Sequence, residues 1–156
     1  IKTNIMTIKE IVLSGGGYNG LCMLGAFDYL LEKKVVDLKD IEKIYGTSFG
    51  ALAGFIMCLK IEWSKVIEYF TERPWDKMVN ITLDLLIEMV SKNGLLDESF
   101  INNLLEKIIT YCDLSMDITF QELYDYSNIE LHTFHVKIND FELIDCSYKT
   151  PSNALT

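Results

Sequence analysis

A serine flanked by glycines follows a run of residues with the character of a buried strand. The segment reads GTSFG at positions 46–50, after Ile44 and Tyr45 and before the apolar helix formers of residues 51–59. A sharp strand-to-helix turn at a G-x-S-x-G segment is a nucleophile elbow, which holds the serine hydroxyl at the carboxyl end of the strand. The pattern indicates Ser48 as the nucleophile of an acyl transfer, and a glycine loop that contains a serine by chance is the alternative.

The flanking glycines have a steric role in this interpretation. A side chain at Gly46 or Gly50 would collide with the adjoining strand or helix. The turn also brings Ser48 to the N-terminus of a helix, where free N–H groups favour negative charge. We therefore expect strand, turn and helix to be packed closely around the serine.

A second glycine-rich turn precedes the first and lies between another predicted strand and helix. The strand spans about residues 10–14, the segment SGGGYNG occupies positions 14–20, and an amphipathic helix is predicted over residues 20–34. Glycines let backbone N–H groups face a ligand without obstruction by side chains. Ester hydrolysis requires such donors, because its tetrahedral intermediate carries an oxyanion. One glycine turn can thus supply the nucleophile and the other the oxyanion hole.

The earlier glycines also fit a dinucleotide-binding fingerprint. Gly15, Gly17 and Gly20 satisfy G-x-G-x-x-G between a strand and a helix. That fingerprint requires an acidic residue at the end of the second strand, whereas here this strand ends in residues 46–48 and the nearby aspartates precede it. The nucleotide interpretation is the weaker one. A Walker-type phosphate loop is excluded, because no Gly-Lys-Ser/Thr follows.

Composition restricts the classes of partner. The chain has 156 residues, enough for one domain, with 49% hydrophobic residues and a formal net charge of −9. This charge argues against nucleic acid and against strong attachment to anionic membranes. Arg73 is the single arginine, which leaves few options for bidentate phosphate binding. No cofactor and no metal site are predicted.

Cysteine spacing and hydropathy bear on the compartment. The longest apolar run, residues 49–59, is too short to span a bilayer, and residues 1–10 lack the apolar core of a secretory signal. We expect a cytoplasmic or membrane-peripheral protein. The four cysteines form no C-x-x-C pair and are expected to be buried free thiols, namely Cys22, Cys58, Cys112 and Cys146.

The remaining elements are predicted from periodicity and turn signals. The first half alternates strands and helices, which predicts parallel strands. Its second strand and helix are predicted over residues 41–46 and 49–60. Later helices are predicted over residues 62–72, 76–92 and 117–126, and a further helix, capped by Asp97 or Ser99, carries Ile101 to Ile109. Two strands are predicted over residues 130–138 and 141–146, joined by a two-residue hairpin turn at Asn139-Asp140.

With these residues in place, the chain resembles the patatin-like phospholipase family. The resemblance rests on SGGGYNG (14–20) and GTSFG (46–50), and it extends through weaker matches at residues 94–97, 117–123 and 129–138. It covers nearly the whole chain but only about the first two thirds of a family domain. It implies a three-layer α/β/α fold with a mainly parallel sheet, in a single, C-terminally incomplete domain of residues 1–156.

The resemblance also implies roles for individual residues. Ser48 would be the nucleophile, the backbone of Gly15, Gly16 and Gly17 would form the oxyanion hole, and Gly20, Gly46 and Gly50 are the other motif glycines. Asn19 stands where family members often carry a basic residue, which leaves a role for a cation there unsupported.

The general base is the larger departure from the family pattern. Patatin-like enzymes pair the serine with the aspartate of a downstream Asp-Gly, and this sequence contains no Asp-Gly. Asp145 precedes the position expected for that aspartate. His132 and His135 are three residues apart in a predicted strand, so at most one of them can face a site. All three are more easily explained as structural or surface groups.

Two functions follow as expectations. The first is a lipid acyl hydrolase of the phospholipase A type, which acts on phospholipid or another lipid ester at a transient membrane surface and whose catalytic aspartate lies beyond this chain. Without that aspartate, this chain alone would be inactive. The alternative is a catalytically deficient lipid-binding or interaction module with the same fold.

Overall fold

The structure, a computed structural model, describes residues 7–75, 98–137 and 139–150. The chain divides into two compact units, one formed by Ile1–Glu68 with Ile118–Thr156 and the other by Tyr69–Asp117. The described elements are, in chain order, β1 (Glu10–Leu13), a 3-10 helix (Gly17–Gly20), α1 (Leu21–Glu32), β2 (Lys43–Gly46), α2 (Phe49–Cys58), α3 (Trp63–Thr71), α4 (Glu98–Tyr111), α5 (Phe120–Ser127), β3 (Glu130–Lys137) and β4 (Glu142–Cys146).

The described strands of the first unit form one sheet in the order β1-β2-β3-β4. The pairs β1–β2 and β2–β3 are parallel, with Leu13 opposite Gly46 and Gly46 opposite Thr133, and β4 pairs antiparallel with β3. The predicted α/β class with a mainly parallel sheet is confirmed. Because β1, β2 and β3 run in the same direction, their carboxyl ends, each followed by a loop or helix, lie at one edge of the sheet.

Helix α2 packs closely over the middle of this sheet. A Cβ atom added to Gly54 would lie 2.8 Å from Ile44 Cγ2 and 2.9 Å from Leu131 Cδ1, so any larger residue would require these side chains to shift. Ile56 and Met57 of the same helix are also buried. Burial of each large apolar side chain stabilises the fold by about 1.5–3 kcal/mol. The apolar composition of α2 is therefore that of a core helix.

The contact at Gly54 also identifies the two faces of the sheet. Ile44 and Leu131 face α2, and successive side chains of a strand point to opposite faces. Leu13, opposite Gly46, lies on the α2 face and is buried, whereas Val12 lies on the second face and is exposed. Residues three apart in β3, such as His132 and His135, consequently face opposite sides.

Helices α1 and α2 each end two residues before the predicted position. In both cases a lysine just beyond the helix adopts the left-handed conformation, Lys34 with φ 54° and Lys60 with φ 54°. Glycine or asparagine usually occupies such positions and would mark the helix end in the sequence. Here the residue type does not reveal the turn.

Helix α5 begins at Phe120 because Thr119 caps it. The Thr119 hydroxyl accepts a hydrogen bond from the Glu122 N–H at 3.2 Å, and the Glu122 carboxylate accepts one from the Thr119 N–H at 2.8 Å. This reciprocal pair is a capping box. The hydrogen bond from the Thr119 N–H lowers the pKa of Glu122 below its ordinary value. The prediction placed this helix start three residues too early.

The second unit contains the end of α3 and helix α4. The Tyr69 hydroxyl donates to the Leu104 carbonyl at 2.8 Å. The Arg73 guanidinium donates to the Asn103 and Leu104 carbonyls at 3.2 and 3.3 Å and lies over the Tyr69 ring. The single arginine of the chain thus has a structural role within this unit.

Several predicted features lie outside the described residues. They are the helix over residues 76–92 and the cap at Asp97. The β3–β4 connection is centred on Asn139 and Asp140, as predicted, but it is longer than the predicted two-residue turn, because Phe141 lies in the turn and β4 begins at Glu142. Within the part of the chain that is described, no helix is long and apolar enough to cross a bilayer.

Replacement of the α5 cap tests this account of the helix start. Thr119→Ala removes the hydroxyl acceptor of the capping box and is expected to lower the free energy of unfolding by about 1 kcal/mol. Urea denaturation at neutral pH measures the change. The control is Thr110→Ala, at an exposed site in α4, which should change stability by less than about 0.5 kcal/mol. Equal effects of the two substitutions would contradict the capping role.

Candidate active site

Ser48 occupies the turn between β2 and α2 in a conformation that side chains rarely adopt. Its backbone has φ 54° and ψ −124°, and it is the residue immediately before α2. A non-glycine residue in such a region costs about 1–3 kcal/mol and persists only when its surroundings enforce it. The Ser48 side chain makes no capping hydrogen bond to the helix, and the residue is exposed. Its hydroxyl is therefore not engaged in holding the helix.

Close contacts around the turn enforce this conformation. A Cβ on Gly46 would lie 2.6 Å from both Ala51 Cα and the Gly50 carbonyl oxygen. A Cβ on Gly50 would strike the carbonyl group of Leu13 at the end of β1. The Thr47 N–H also donates to the Leu13 carbonyl oxygen at 3.1 Å. The turn is fixed between the end of β1 and the start of α2, which leaves Ser48 at the carboxyl edge of the sheet.

The earlier glycine turn lies directly beside Ser48. A Cβ on Gly15 would be 3.3 Å from Ser48 Cβ and 3.9 Å from Ser48 Oγ. The turn closes through a hydrogen bond of 3.0 Å from the Asn19 N–H to the Gly16 carbonyl. Gly17 has φ +50°, a conformation that glycine adopts without steric cost. The structure thus brings the two glycine motifs together.

Backbone donors are available at this junction. Neither the Gly15 N–H nor the Gly16 N–H donates a hydrogen bond to another described residue. Phe49 is the first residue of α2, where the N–H has no partner within the helix. Sequence reasoning did not single out Phe49, although the residue after the serine of an elbow commonly supplies such a donor. An anion beside Ser48 would find several N–H groups unused by secondary structure.

Contact with Phe49 also accounts for the glycine at position 20. A Cβ on Gly20 would overlap the Phe49 ring and lie 2.8 Å from Phe49 Cβ. Gly20 is buried at the start of α1, so this contact joins the end of the glycine turn to the start of α2. Gly20 is therefore required for packing between the two motifs.

Asp145 and His132 lie on the face of the sheet opposite α2. His132 Nδ1 is 2.9 Å from both Asp145 carboxylate oxygens, and His132 Nε2 is 3.1 Å from Glu130 Oε1. The His132 ring stacks on Tyr45 with centroids 4.6 Å apart. These contacts join β2, β3 and β4. They give Asp145 and His132, which were considered as bases for Ser48, a structural role.

His135 lies on the α2 face of β3 and contacts Cys146. The Cys146 Sγ to His135 Nδ1 distance is 3.3 Å, and His135 is exposed while Cys146 is buried. Burial raises the pKa of the Cys146 thiol. The thiol is therefore protonated at neutral pH and can donate to the imidazole. This contact holds one ring nitrogen of His135 against the sheet.

All four cysteines are free, as predicted, but their burial differs. Cys58 and Cys146 are buried, Cys112 is half-buried and Cys22 is exposed. Burial raises the pKa of Cys58 to about 12. The expectation of a buried thiol was wrong for Cys22, because that residue lies on the outer side of α1.

A cavity of about 750 Å³ lies at the other end of the sheet. Its lining includes Lys9, Asp37, Lys60 and Asn128, which belong to the amino edges of the strands and to the segments that lead into them. Ser48 and the glycine turn are not among the lining residues. The cavity is thus separate from the junction of the two glycine motifs.

Known proteins resemble this chain in sequence and in fold. Residues 11–155 match the family described as patatin-like phospholipase. The probable lipid hydrolase 463L of Invertebrate iridescent virus 6 is 29% identical over 119 residues, which cover 75% of this chain and 39% of the viral protein.

Two solved structures share the fold. A crystal structure of the type III effector protein ExoU matches with a TM-score of 0.56 and 12% identity, over 92% of this chain and 36% of that one. Full-length ExoU in complex with SpcU, from the type III secretion system of Pseudomonas aeruginosa, matches with a TM-score of 0.51 and 17% identity, over 90% and 35%. The chain therefore spans well under half the length of these relatives.

A glycine pair tests the steric account of the Ser48 turn. Gly46→Ala places a methyl group against the backbone of α2 and should lower the free energy of unfolding by about 1–3 kcal/mol. The control is Gly25→Ala on α1, where the added Cβ has no atom within 4 Å beyond its chain neighbours and the nearby backbone of its own helix. That substitution should raise stability by about 0.5–1 kcal/mol. Chemical denaturation of both variants measures the difference, and a neutral Gly46→Ala would contradict the close packing.

The polar cluster on the second face predicts a pH dependence of stability. The Lys149 ammonium, 2.7 Å from the buried Glu130 carboxylate, lowers the pKa of Glu130 from its ordinary value of 4.5 through this hydrogen bond and its charge. Because the folded pKa is the lower one, the stabilisation is complete above the unfolded value and is lost as pH falls through the folded value.

Glu130→Gln removes this titration and should therefore lose less stability than the unsubstituted protein between about pH 6 and about pH 3. Urea denaturation at both pH values measures the two losses. Glu142→Gln, at an exposed carboxylate of β4, is the control and should keep the acid sensitivity of the unsubstituted protein. The same loss in the Glu130 variant as in the control would contradict the account.

Proposed function

Because this chain belongs to the patatin-like phospholipase family, we propose that it carries the nucleophile of a lipid acyl hydrolase, with Ser48 in that role. The observation that carries the proposal is the strained Ser48 turn, with φ 54°, placed between strand and helix next to Gly15. The proposed reaction is phospholipase A-type hydrolysis of a carboxylic ester. The substrate is a phospholipid or another lipid ester, met at a transient membrane surface.

The proposed reaction proceeds in two acyl-transfer steps. The Ser48 Oγ attacks the ester carbonyl carbon while its proton passes to a general base, and the carbonyl electron pair moves onto the oxygen. The tetrahedral intermediate then collapses, the alcohol leaves with a proton, and the acyl group remains on Ser48. Water repeats the attack and releases the fatty acid.

The oxyanion of each intermediate is assigned to the glycine turn. The Gly15, Gly16 and Gly17 backbone is the proposed donor set, and the Phe49 N–H is an additional donor at the start of α2. Such donors are effective because they are already oriented toward the position where charge develops, and loss of one typically costs about 10²–10³ in rate. The positive end of the α2 dipole acts in the same direction.

The general base of this reaction is not assigned to a described residue. The family resemblance implies an aspartate in an Asp-Gly pair, and the 156 residues contain none. Asp145 is hydrogen-bonded to His132 on the second face of the sheet and makes a poor substitute for that aspartate. The second candidate function is a lipid-binding module that keeps the fold without catalysis.

Substitution of Ser48 separates the two candidates. In the full-length natural protein, Ser48→Ala should reduce hydrolysis of a short-chain ester by at least about 10³-fold, because the proposed reaction forms its acyl intermediate on the Ser48 hydroxyl. Ser64→Ala, at an exposed serine of α3, is the matched control and should keep full activity. Hydrolysis unchanged by Ser48→Ala would refute the nucleophile assignment, and an inactive unsubstituted protein would favour the binding module.

A further inference from the structure

The tip of the β3–β4 hairpin exposes a concentration of apolar side chains. Val136 and Leu143 are directly paired across the two strands, so their side chains lie side by side on one face. Their exposed fractions are 54% and 65%, and that of Phe141 in the connecting turn is 84%. Single exposed apolar residues are ordinary, whereas a contiguous group marks an interaction surface. We call these three residues the hairpin tip.

The hairpin tip lies at the same end of the sheet as Ser48. Gly46, the last residue of β2, is opposite Thr133, and β3 continues to Lys137. Strand β3 therefore runs past the carboxyl end of β2, and its turn extends outward on the side where Ser48 is exposed. The tip and Ser48 therefore share one edge of the sheet, with Val136 and Leu143 on the face opposite α2.

The charges around the tip restrict the kind of surface it fits. Its lysine, Lys137, is paired with Asp140 at 3.6 Å, and Glu142 adds another negative charge. The tip therefore offers no excess positive charge, in a chain of net charge −9. Anionic bilayers attract clusters of lysine and arginine and would repel such a segment. A zwitterionic lipid surface has no such preference and accepts apolar side chains.

Phe141 supplies a sensitive probe because its backbone is strained. It has φ 51°, a conformation that is unusual for a bulky residue and free of steric cost for glycine. Phe141→Gly therefore removes the ring without placing strain on the turn. A loss of binding in this variant therefore does not arise from backbone strain in the turn.

We propose that the hairpin tip inserts into the zwitterionic lipid surface that holds the substrate, with Val136, Phe141 and Leu143 as the inserting side chains. This inference rests on the proposed lipid hydrolase function and adds the surface through which the protein meets its substrate. Insertion removes the exposed apolar area from water. It also brings the Ser48 edge of the sheet to the lipid surface.

Partition of the full-length natural protein onto phosphatidylcholine vesicles, measured by co-sedimentation, tests the proposal. Phe141→Gly and Val136→Asp should each lower the partition coefficient roughly tenfold. The matched control is Val35→Asp, at an equally exposed valine (51%) in the segment between α1 and β2 at the other end of the sheet, which should change nothing. Ser48→Ala should bind the vesicles as the unsubstituted protein does.

Three results would overturn the proposal. They are unchanged partition of both tip variants, an equal loss from Val35→Asp, and binding that requires phosphatidylserine in the vesicles. If the tip packs on protein instead, Val136→Asp will lower the free energy of unfolding without vesicles and leave partition unchanged. The tip variants should hydrolyse a water-soluble ester as the unsubstituted protein does, whereas Ser48→Ala should not. A failure of the tip proposal is therefore distinguishable from a failure of the Ser48 assignment.

Discussion

The close approach of the α2 N-terminus to the ends of β1 and β2 is the constraint on which the rest of the candidate site depends. Gly50 meets the Leu13 carbonyl group, and Gly46 meets the backbone of Ala51, at distances that exclude any Cβ atom. The chain reverses direction within this space, and Ser48 takes the positive φ that the reversal requires. The strain at one residue is maintained by the packing of its neighbours.

The same constraint arranges the remaining parts of the site. The helix continues over the sheet at close range through Gly54, which lies against Ile44 and Leu131. At the helix start, Phe49 contacts Gly20 and so sets the position of the earlier glycine turn. The serine, the free N–H groups and the helix N-terminus are thus brought together where glycines allow close contact, with backbone at Gly46 and Gly50 and with side chains at Gly20 and Gly54.

Much of this arrangement could be predicted from sequence because it depends on local signals. Glycine spacing, β-branched strands and apolar helix periodicity predicted β1 to α2 in the correct order and the parallel sheet. The ends of α1 and α2 could not be predicted, because Lys34 and Lys60 adopt a conformation for which their residue type gives no signal. The T-x-x-E capping box at Thr119 was a readable signal that sequence reasoning missed.

Contacts across strands were beyond sequence reasoning for a different reason. The His132–Asp145 and His135–Cys146 pairs depend on the register of β3 against β4, which sets which side chains share a face. Alternation along one strand separates His132 from His135, as expected, but it cannot name their partners. The structure assigns each histidine a neighbour that holds it in the sheet. This leaves Ser48 without a described side-chain base.

The most direct test of the central claim is the site of covalent modification by a fluorophosphonate ester. Such a reagent phosphonylates an activated serine, and peptide mass spectrometry of the full-length natural protein identifies the residue. The account predicts modification of Ser48, blocked by prior occupancy with a lipid ester. Modification of another serine, or hydrolysis of a lipid ester by protein that the reagent leaves unmodified at Ser48, would contradict it.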